Sequence, residues 1–312
     1  VDPRDLVRLT PLMARTSGRP SVAVGLIDGR VDPHHPAFAG RPVRELRPAA
    51  GAGACHRADV CCAHGTAVAG TIAGAGGVCP GCTLVSRPLF TDRPADGGPA
   101  TCLSGVRTGE LAEAIVETVD AGVLVLNLSM AQPAPSGARD PALEAALDHA
   151  ADRGVILVVA AGNQGRPGSS ALTGHPWVIP VTAYDRAGRP MPQSNLGVSI
   201  GRRGVGAPGD RVPAPGPGDR PFVLNGTSAA APFVTGAVAL LCSAFPEATP
   251  AAVRYAVTHG PGRRHSVVPP LLDAWAAYTA LRDRPREPSR RSPRTLGVRN
   301  RVHPAREPFR RL

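Results

Sequence analysis

The sequence predicts a three-layer α/β fold, a mainly parallel sheet with helices on both faces. Three observations carry that expectation. Apolar, β-branched runs bounded by Gly or Asp recur at Val22–Ile27, Val123–Leu128, Val155–Ala160 and Val178–Val181. Stretches of helical character, His64–Ala75, Gly105–Ala121, Pro141–Arg153 and Ser228–Phe245, separate or follow them. Strands that are apolar throughout must be covered on both faces, and their alternation with helices is the pattern of parallel crossover units. Gly122 and Gly154 each stand just past a helix and just before a strand, where a left-handed cap residue belongs.

In chain order, residues 1–20 read as an N-terminal extension and residues 21–281 as one domain. Within it the Gly- and Pro-rich segments Leu46–Val60, Thr91–Leu103, Ala131–Arg139 and Pro208–Pro221 read as surface loops that would shape a cleft. Thr249-Pro250 is a cap followed by a first-turn proline, opening a helix through Val257, and Leu271–Leu281 reads as the last helix. Residues 282–312 hold 11 Arg, five Pro and three acids, net +8, and read as a disordered tail.

With 312 residues and 43% apolar content the chain can bury a large core, which excludes wholesale disorder and a collagen-like repeat. The first twenty residues hold no apolar run that would serve as a secretory signal, so the expectation is a soluble, cytoplasmic protein. The longest apolar stretch, Ala229–Leu241, is interrupted by Pro232 and Thr235 and falls short of the ~18 residues a membrane span needs. All 35 basic residues are Arg, and residues 1–281 carry only +3 of the net +11. With aromatic residues nearly absent from the tail, a solvated extension is a better reading of it than a nucleic-acid-binding arm.

Four short segments lie where a strand ends or a helix begins. Val22–Ile27 runs into Asp28; His64-Gly-Thr-Ala-Val-Ala-Gly70 opens a helix of small residues; Val158–Gly162 ends in Asn163; Asn225-Gly-Thr-Ser228 opens the most apolar helix. The carboxyl ends of parallel strands share one rim of the sheet, so residues 200 positions apart can meet there. A serine hydroxyl is a poor nucleophile until a base takes its proton. Histidine is that base near neutral pH, and a carboxylate fixes its tautomer and stabilises the imidazolium. The Asn163 amide and the Ser228 N–H, at a helix N-terminus, are donors suited to a developing oxyanion.

These four segments, in the order Asp, His, Asn, Ser, resemble the subtilisin-like serine protease family. The resemblance covers roughly residues 21–281. It implies a subtilisin-like fold, with Asp28, His64 and Ser228 as catalytic triad and Asn163 as oxyanion donor. It also implies a substrate pocket between Ser129, Met130 and Ala131 on one side and Ala160, Ala161 and Gly162 on the other. No cofactor is required by that chemistry; family members often bind structural calcium, for which the sequence offers no recognisable ligand set. Ile27-Asp-Gly-Arg-Val-Asp-Pro-His-His-Pro-Ala-Phe38, Gly77-Val-Cys-Pro-Gly-Cys-Thr-Leu84 and Pro88-Leu-Phe90 are similar, more narrowly, to proteases of cyanobactin-type peptide maturation. Those enzymes trim ribosomally made precursors, and the ring-closing ones carry a helical insertion. The 35 residues between Asp28 and His64 are Gly-, Pro- and Arg-rich without helical period, which favours hydrolysis over macrocyclisation. With no folding prodomain visible before Ser21, the expectation is a prodomain-less intracellular type or a mature fragment.

Against these readings stand blander ones. Asp32 is a rival carboxylate but sits in a Pro-flanked turn, and of the histidines only His64 opens a small-residue helix, unlike His34, His35, His56 and His175. Gly162-Asn163 is also ordinary turn chemistry. The motif departs from the family at Asp28-Gly29-Arg30, where Arg30 either pairs with Asp28 or faces solvent, and at Ser129-Met130-Ala131, where the usual glycines are lost. Cys62, His64, Cys79 and Cys82 offer a zinc reading that would take His64 away as a base. A Cys79–Cys82 disulfide or buried free thiols are better readings, with most cysteines reduced and Cys61 and Cys62 open to inhibitory thiol reagents. The expectation is therefore a serine endopeptidase acting on a peptide or protein substrate. The alternative is a catalytically inactive module of the same fold that binds a precursor peptide.

Overall fold

The structure, a computed structural model, describes residues 2–47, 59–90, 106–130, 140–218, 220–260 and 266–284. Two short helices, α1 (Pro3–Leu6) and α2 (Leu9–Met13), lead into strand β1 (Ala23–Gly29). Then follow β2 (Val43–Glu45), α3 (Val60–Ala73), β3 (Thr83–Phe90), α4 (Thr108–Asp120), β4 (Val125–Leu128) and α5 (Pro141–Asp152). The second half continues with β5 (Ile156–Ala160), α6 (Ala171–Gly174), β6 (Ile179–Tyr184), α7 (Val198–Arg203) and β7 (Val205–Pro208). A hairpin of β8 (Val212–Gly216) and β9 (Arg220–Leu224) precedes α8 (Thr227–Ala244), α9 (Pro250–Thr258) and α10 (Ala274–Arg282).

Seven strands form one parallel sheet in the order β2-β3-β1-β4-β5-β6-β7. The four apolar runs are β1, β4, β5 and β6, and every residue of β4, β5 and β6 is buried. Gly122 and Gly154 take the left-handed conformation (φ +85° and +70°) that ends a helix and releases the chain into a strand. Two apolar cores flank the sheet. One gathers α3, α8 and the inner faces of α2, α9 and α10; the other lies under α4 and α5.

Helix α8 is long and apolar enough to cross a membrane by length and composition alone, yet 83% of it is buried inside the protein. A helix apolar on all sides is what the middle of a large core requires. Thr249 caps α9 by accepting the Ala252 N–H, with Pro250 in the first turn, as its sequence indicates.

Several elements depart from the sequence reading. Residues 2–13, part of the supposed extension, are largely helical, and Val7, Leu9 and Leu12 are fully buried in the main core. Strands β2, β3 and β7 are not among those the sequence indicates, and the Pro-rich loop over Pro208–Pro221 contains β8 and the start of β9. Pro213, Pro215 and Pro221 are tolerated because this two-stranded ribbon asks for few ladder bonds. Helix α3 begins at Val60, so His64 lies in its second turn, not at its start. The loops over Thr91–Leu103 and Ala131–Arg139, Ala131 itself, His56 and nearly all of the tail lie outside the described residues.

β1 has β3 on one side and β4 on the other. The chain leaves β1 for the edge strand β2, returns through α3 to β3, then crosses through α4 to β4 on the opposite side of β1. The carboxyl end of β1 is thus the point where the winding reverses, and a crevice opens there. Helix α3 meets that end backbone to backbone. A Cβ on Gly29 would collide with the Cys61 carbonyl oxygen, and one on Gly65 would collide with the Gly29 oxygen. Gly29→Ala must therefore push α3 off the strand. Overpacking of this kind costs about 1–3 kcal/mol, so the expected outcome is a lower melting temperature in a thermal unfolding scan; an unchanged one would contradict the contact.

Candidate active site

Asp28 is the next-to-last residue of β1, and its side chain is fully buried. Its Oδ1 accepts the Gly29 N–H at 2.7 Å and lies 2.7 Å from His64 Nδ1. With the carboxylate ionised, Nδ1 is the donor of that bond and Nε2 is left to act as a base. Burial disfavours the charged imidazolium, but the charge of Asp28 and its hydrogen bond outweigh this and raise the His64 pKa above its ordinary value. Charged His64 therefore stabilises the fold below histidine's ordinary pKa, and that contribution is lost as pH rises through the raised folded value.

Ile27 pairs with Leu128 across β1 and β4, so the next residues, Asp28 and Ser129, leave the sheet side by side. Ser129 receives the nucleophile candidate. Ser228, the second residue of α8, donates its hydroxyl to the Ser129 carbonyl at 2.9 Å. His64 and Ser228 are thus held at neighbouring strand ends, one by Asp28 and the other by Ser129. No hydrogen bond joins Ser228 Oγ to His64 in this arrangement.

Asn163 follows β5. Its Oδ1 accepts both the Thr227 N–H (2.9 Å) and the Thr227 hydroxyl (3.1 Å), which turns its NH2 away from α8 and leaves it free to donate. Thr227 Oγ1 also accepts the Gly162 N–H at 3.2 Å. The Ser228 N–H, in the first turn of α8, belongs to the set with no intrahelical acceptor. Gly226 makes room for all of this, since a Cβ there would come 2.5 Å from Asn163 Oδ1, and its φ of +78° suits glycine.

Other assigned residues fall into place differently. Asn127 and Leu128 pair with Val158 and Val159, setting Ser129 beside Ala160, so the two sides of the expected pocket are adjacent strand ends. Ala160, Ala161 and Gly162 are buried there. Met130, at the same strand end, is 4% exposed and belongs to the apolar core that includes Leu111, Ile115 and Leu143. Arg30 reaches Glu45 (3.5 Å) on β2. Asp32 caps its own turn through the His34 N–H, which is the bland role the turn implies.

Sequence reasoning missed four polar positions. Thr227 orients Asn163. Asn195 pins the segment after Asn163, accepting the Gln164 and Arg166 N–H groups and donating to the Ala161 carbonyl. Thr235 and Asn127 form a buried hydrogen-bonded pair. Only Asn127 and Thr235 gave a signal in the sequence, as polar residues within apolar runs.

The cysteines correct the expectation of reduced thiols. Cys79 and Cys82 form a disulfide, and Cys61 and Cys62 are disulfide-bonded too. A bridged sulfur offers no thiolate to a thiol reagent or to zinc, so both the inhibition expected at Cys61 and Cys62 and the zinc reading fall. Cys242 is free, and burial pushes its thiol up to about 11. Among the described residues no group of three or more His, Cys, Asp or Glu side chains gathers as a metal site. A cavity of about 620 Å³ opens away from the strand ends, between the end of α3 (Gly70, Thr71) and the β8–β9 hairpin.

A parallel α/β domain that brings a buried Asp–His pair and a helix-start serine to one switch point, with an amide donor beside them, is built like a serine hydrolase. Residues 19–267 match the Subtilase family, and the chain belongs to it. Fervidolysin from Fervidobacterium pennivorans is 32% identical over 266 residues, covering 75% of this chain but only 36% of its own length. Among solved structures, the prenylagaramide maturation protease PagA is similar at 28% identity, with a TM-score of 0.75, covering 88% of this chain and 98% of its own. The patellamide maturation protease PatA is similar at 29% identity, with a TM-score of 0.72, covering 85% and 98%.

Two outcomes test the geometry. In Asp28→Asn the His64 titration midpoint, followed by NMR, falls relative to the parent because the charge that raises it is gone; a midpoint that holds or rises contradicts the assignment. Gly226→Ala displaces Asn163 and releases the Thr227 bonds, so the Thr227 amide exchanges faster with solvent deuterium; unchanged protection would show that the glycine is not needed there.

Proposed function

We propose that the chain is a serine endopeptidase that works through an acyl-enzyme, with a ribosomally made precursor peptide as substrate. The observation that carries this is the meeting of the Asp28–His64 pair with the Ser129-held Ser228 on adjacent strand ends. In this reading Ser228 Oγ turns from the Ser129 carbonyl to His64 Nε2 and attacks the scissile carbonyl carbon as His64 takes its proton. Asp28 holds Nδ1–H and stabilises the imidazolium. The tetrahedral oxyanion accepts hydrogen bonds from Asn163 Nδ2 and the Ser228 N–H. His64 then gives the proton to the departing amine, and water attacks the acyl-enzyme by the same route in reverse. None of these steps calls for an organic cofactor.

The precursor-peptide substrate is supported by the likeness to PagA and PatA, both maturation proteases. The short Asp28–His64 connection favours release by water over ring closure. The disulfides favour work in an oxidising compartment over the cytoplasmic expectation. One observation favours the second reading, an inactive peptide-binding module: Ser228 donates to Ser129 and not to His64.

A fluorophosphonate probe decides between them. The enzyme is labelled once, at Ser228, and Ser228→Ala abolishes labelling; an unlabelled parent, or labelling that survives the substitution, contradicts the proposal. For the enzyme, activity on peptides rises with pH through the raised His64 pKa, and Asp28→Asn lowers kcat by about 10⁴. Mass spectrometry of products from a peptide library reads out cleavage preference directly.

A further inference from the structure

Ser228 is held at a second point that the acyl-transfer roles do not use. In a regular helix the Ser228 carbonyl would accept the N–H of residue 232, four positions on, but that residue is Pro232 and has none. The orphaned carbonyl instead faces the Ser129 hydroxyl, which donates to it at 3.4 Å. Ser129 and Ser228 are thus clamped twice: hydroxyl to carbonyl in one direction, and hydroxyl to carbonyl in the other at 2.9 Å.

The Ser129 hydroxyl is itself aimed. It accepts from Asn127 Nδ2 at 2.7 Å, which commits its own proton to the Ser228 carbonyl. Asn127 Oδ1 accepts from Thr235 Oγ1, also at 2.7 Å. Asn127 and Thr235 are fully buried and Ser129 is 1% exposed, so water does not compete for these bonds. Every proton in the chain Thr235→Asn127→Ser129→Ser228 points the same way. It begins two turns along α8 and ends at the helix start, with the end of β4 between. Thr235, donating to Oδ1, and Ser129, accepting from Nδ2, together set which way the Asn127 amide faces. A flipped amide would present Oδ1 to the Ser129 hydroxyl, draw its proton away and leave the Ser228 carbonyl orphaned.

We propose that Thr235 and Asn127 are positioning residues for Ser228, acting through the Ser129 hydroxyl to set the start of α8 against the end of β4. The proposal deepens the acyl-transfer reading and, for its effect on rate, rests on it. Its consequence is that the Thr235 hydroxyl, about as far along the helix as two turns allow, governs how fast Ser228 reacts without touching the substrate.

The test compares Thr235→Val, which keeps the shape and removes the donor, with Thr235→Ser, which keeps the donor. The full chain is labelled with fluorophosphonate and the rate is read per folded molecule, beside melting temperature and peptide kinetics. Thr235→Val is expected to react to full stoichiometry but about tenfold more slowly, the equivalent of roughly 1.4 kcal/mol, with the loss in kcat and not in KM. Thr235→Ser is expected to restore the parent rate. Val reacting at the parent rate, whatever its melting temperature, overturns the proposal, as does a serine variant that fails to rescue. Hydrogen–deuterium exchange of residues 226–230 provides a readout that needs no chemistry: faster exchange in Val and parent exchange in Ser are expected. If the parent itself is not labelled, the enzyme reading fails while this exchange pattern still decides the clamp, and unchanged exchange in Val overturns it.

Discussion

The whole site depends on one close contact, the backbone of α3 lying directly on the carboxyl end of β1. Gly29 and Gly65 permit it, because a methyl group on either would occupy the space of a carbonyl oxygen in the other segment. That approach brings His64 Nδ1 within 2.7 Å of a carboxylate that the core has already stripped of water. A buried carboxylate without such a partner would carry a large desolvation cost; with it, the pair becomes a base whose affinity for protons is raised. The parallel register of β1 and β4 then delivers Ser129, and through it Ser228, to the neighbouring position.

Much of this was legible in the sequence. The four apolar runs and the two left-handed glycines sufficed for the central strands, because a buried parallel strand leaves few alternatives to β-branched residues. Asp28 was legible because a carboxylate ends an apolar run, and Ser228 because it opens the most apolar helix. The short edge strands β2 and β7 were not, since three or four residues carry no readable period. Nor was the β8–β9 ribbon, whose prolines argue for a loop. Helix α3 starts four residues before His64 through Val60-Cys-Cys-Ala, a stretch with nothing to distinguish it from a loop end.

Polar residues that support the site from neighbouring segments proved the hardest to read. Thr227, Asn127, Thr235 and Asn195 have no motif of their own, and their roles emerge only when distant elements are placed side by side. Each gives a polar group of the site a protein partner: an amide oxygen on Asn163, the carbonyl that Pro232 leaves without its helical donor, the N–H groups after β5. The cysteines show the converse. Their spacing left a metal site open, and the bridges at Cys61, Cys62, Cys79 and Cys82 close that reading. Two of them, Cys61 and Cys62, sit in the first turn of the helix that carries His64.

The most direct test is a crystal structure of the chain after reaction with a fluorophosphonate. The account predicts phosphorus bonded to Ser228 Oγ, with one phosphoryl oxygen about 3 Å from both Asn163 Nδ2 and the Ser228 nitrogen, and His64 Nε2 facing the bond just formed. Phosphorus on another side chain, or a phosphoryl oxygen turned away from Asn163, would contradict it.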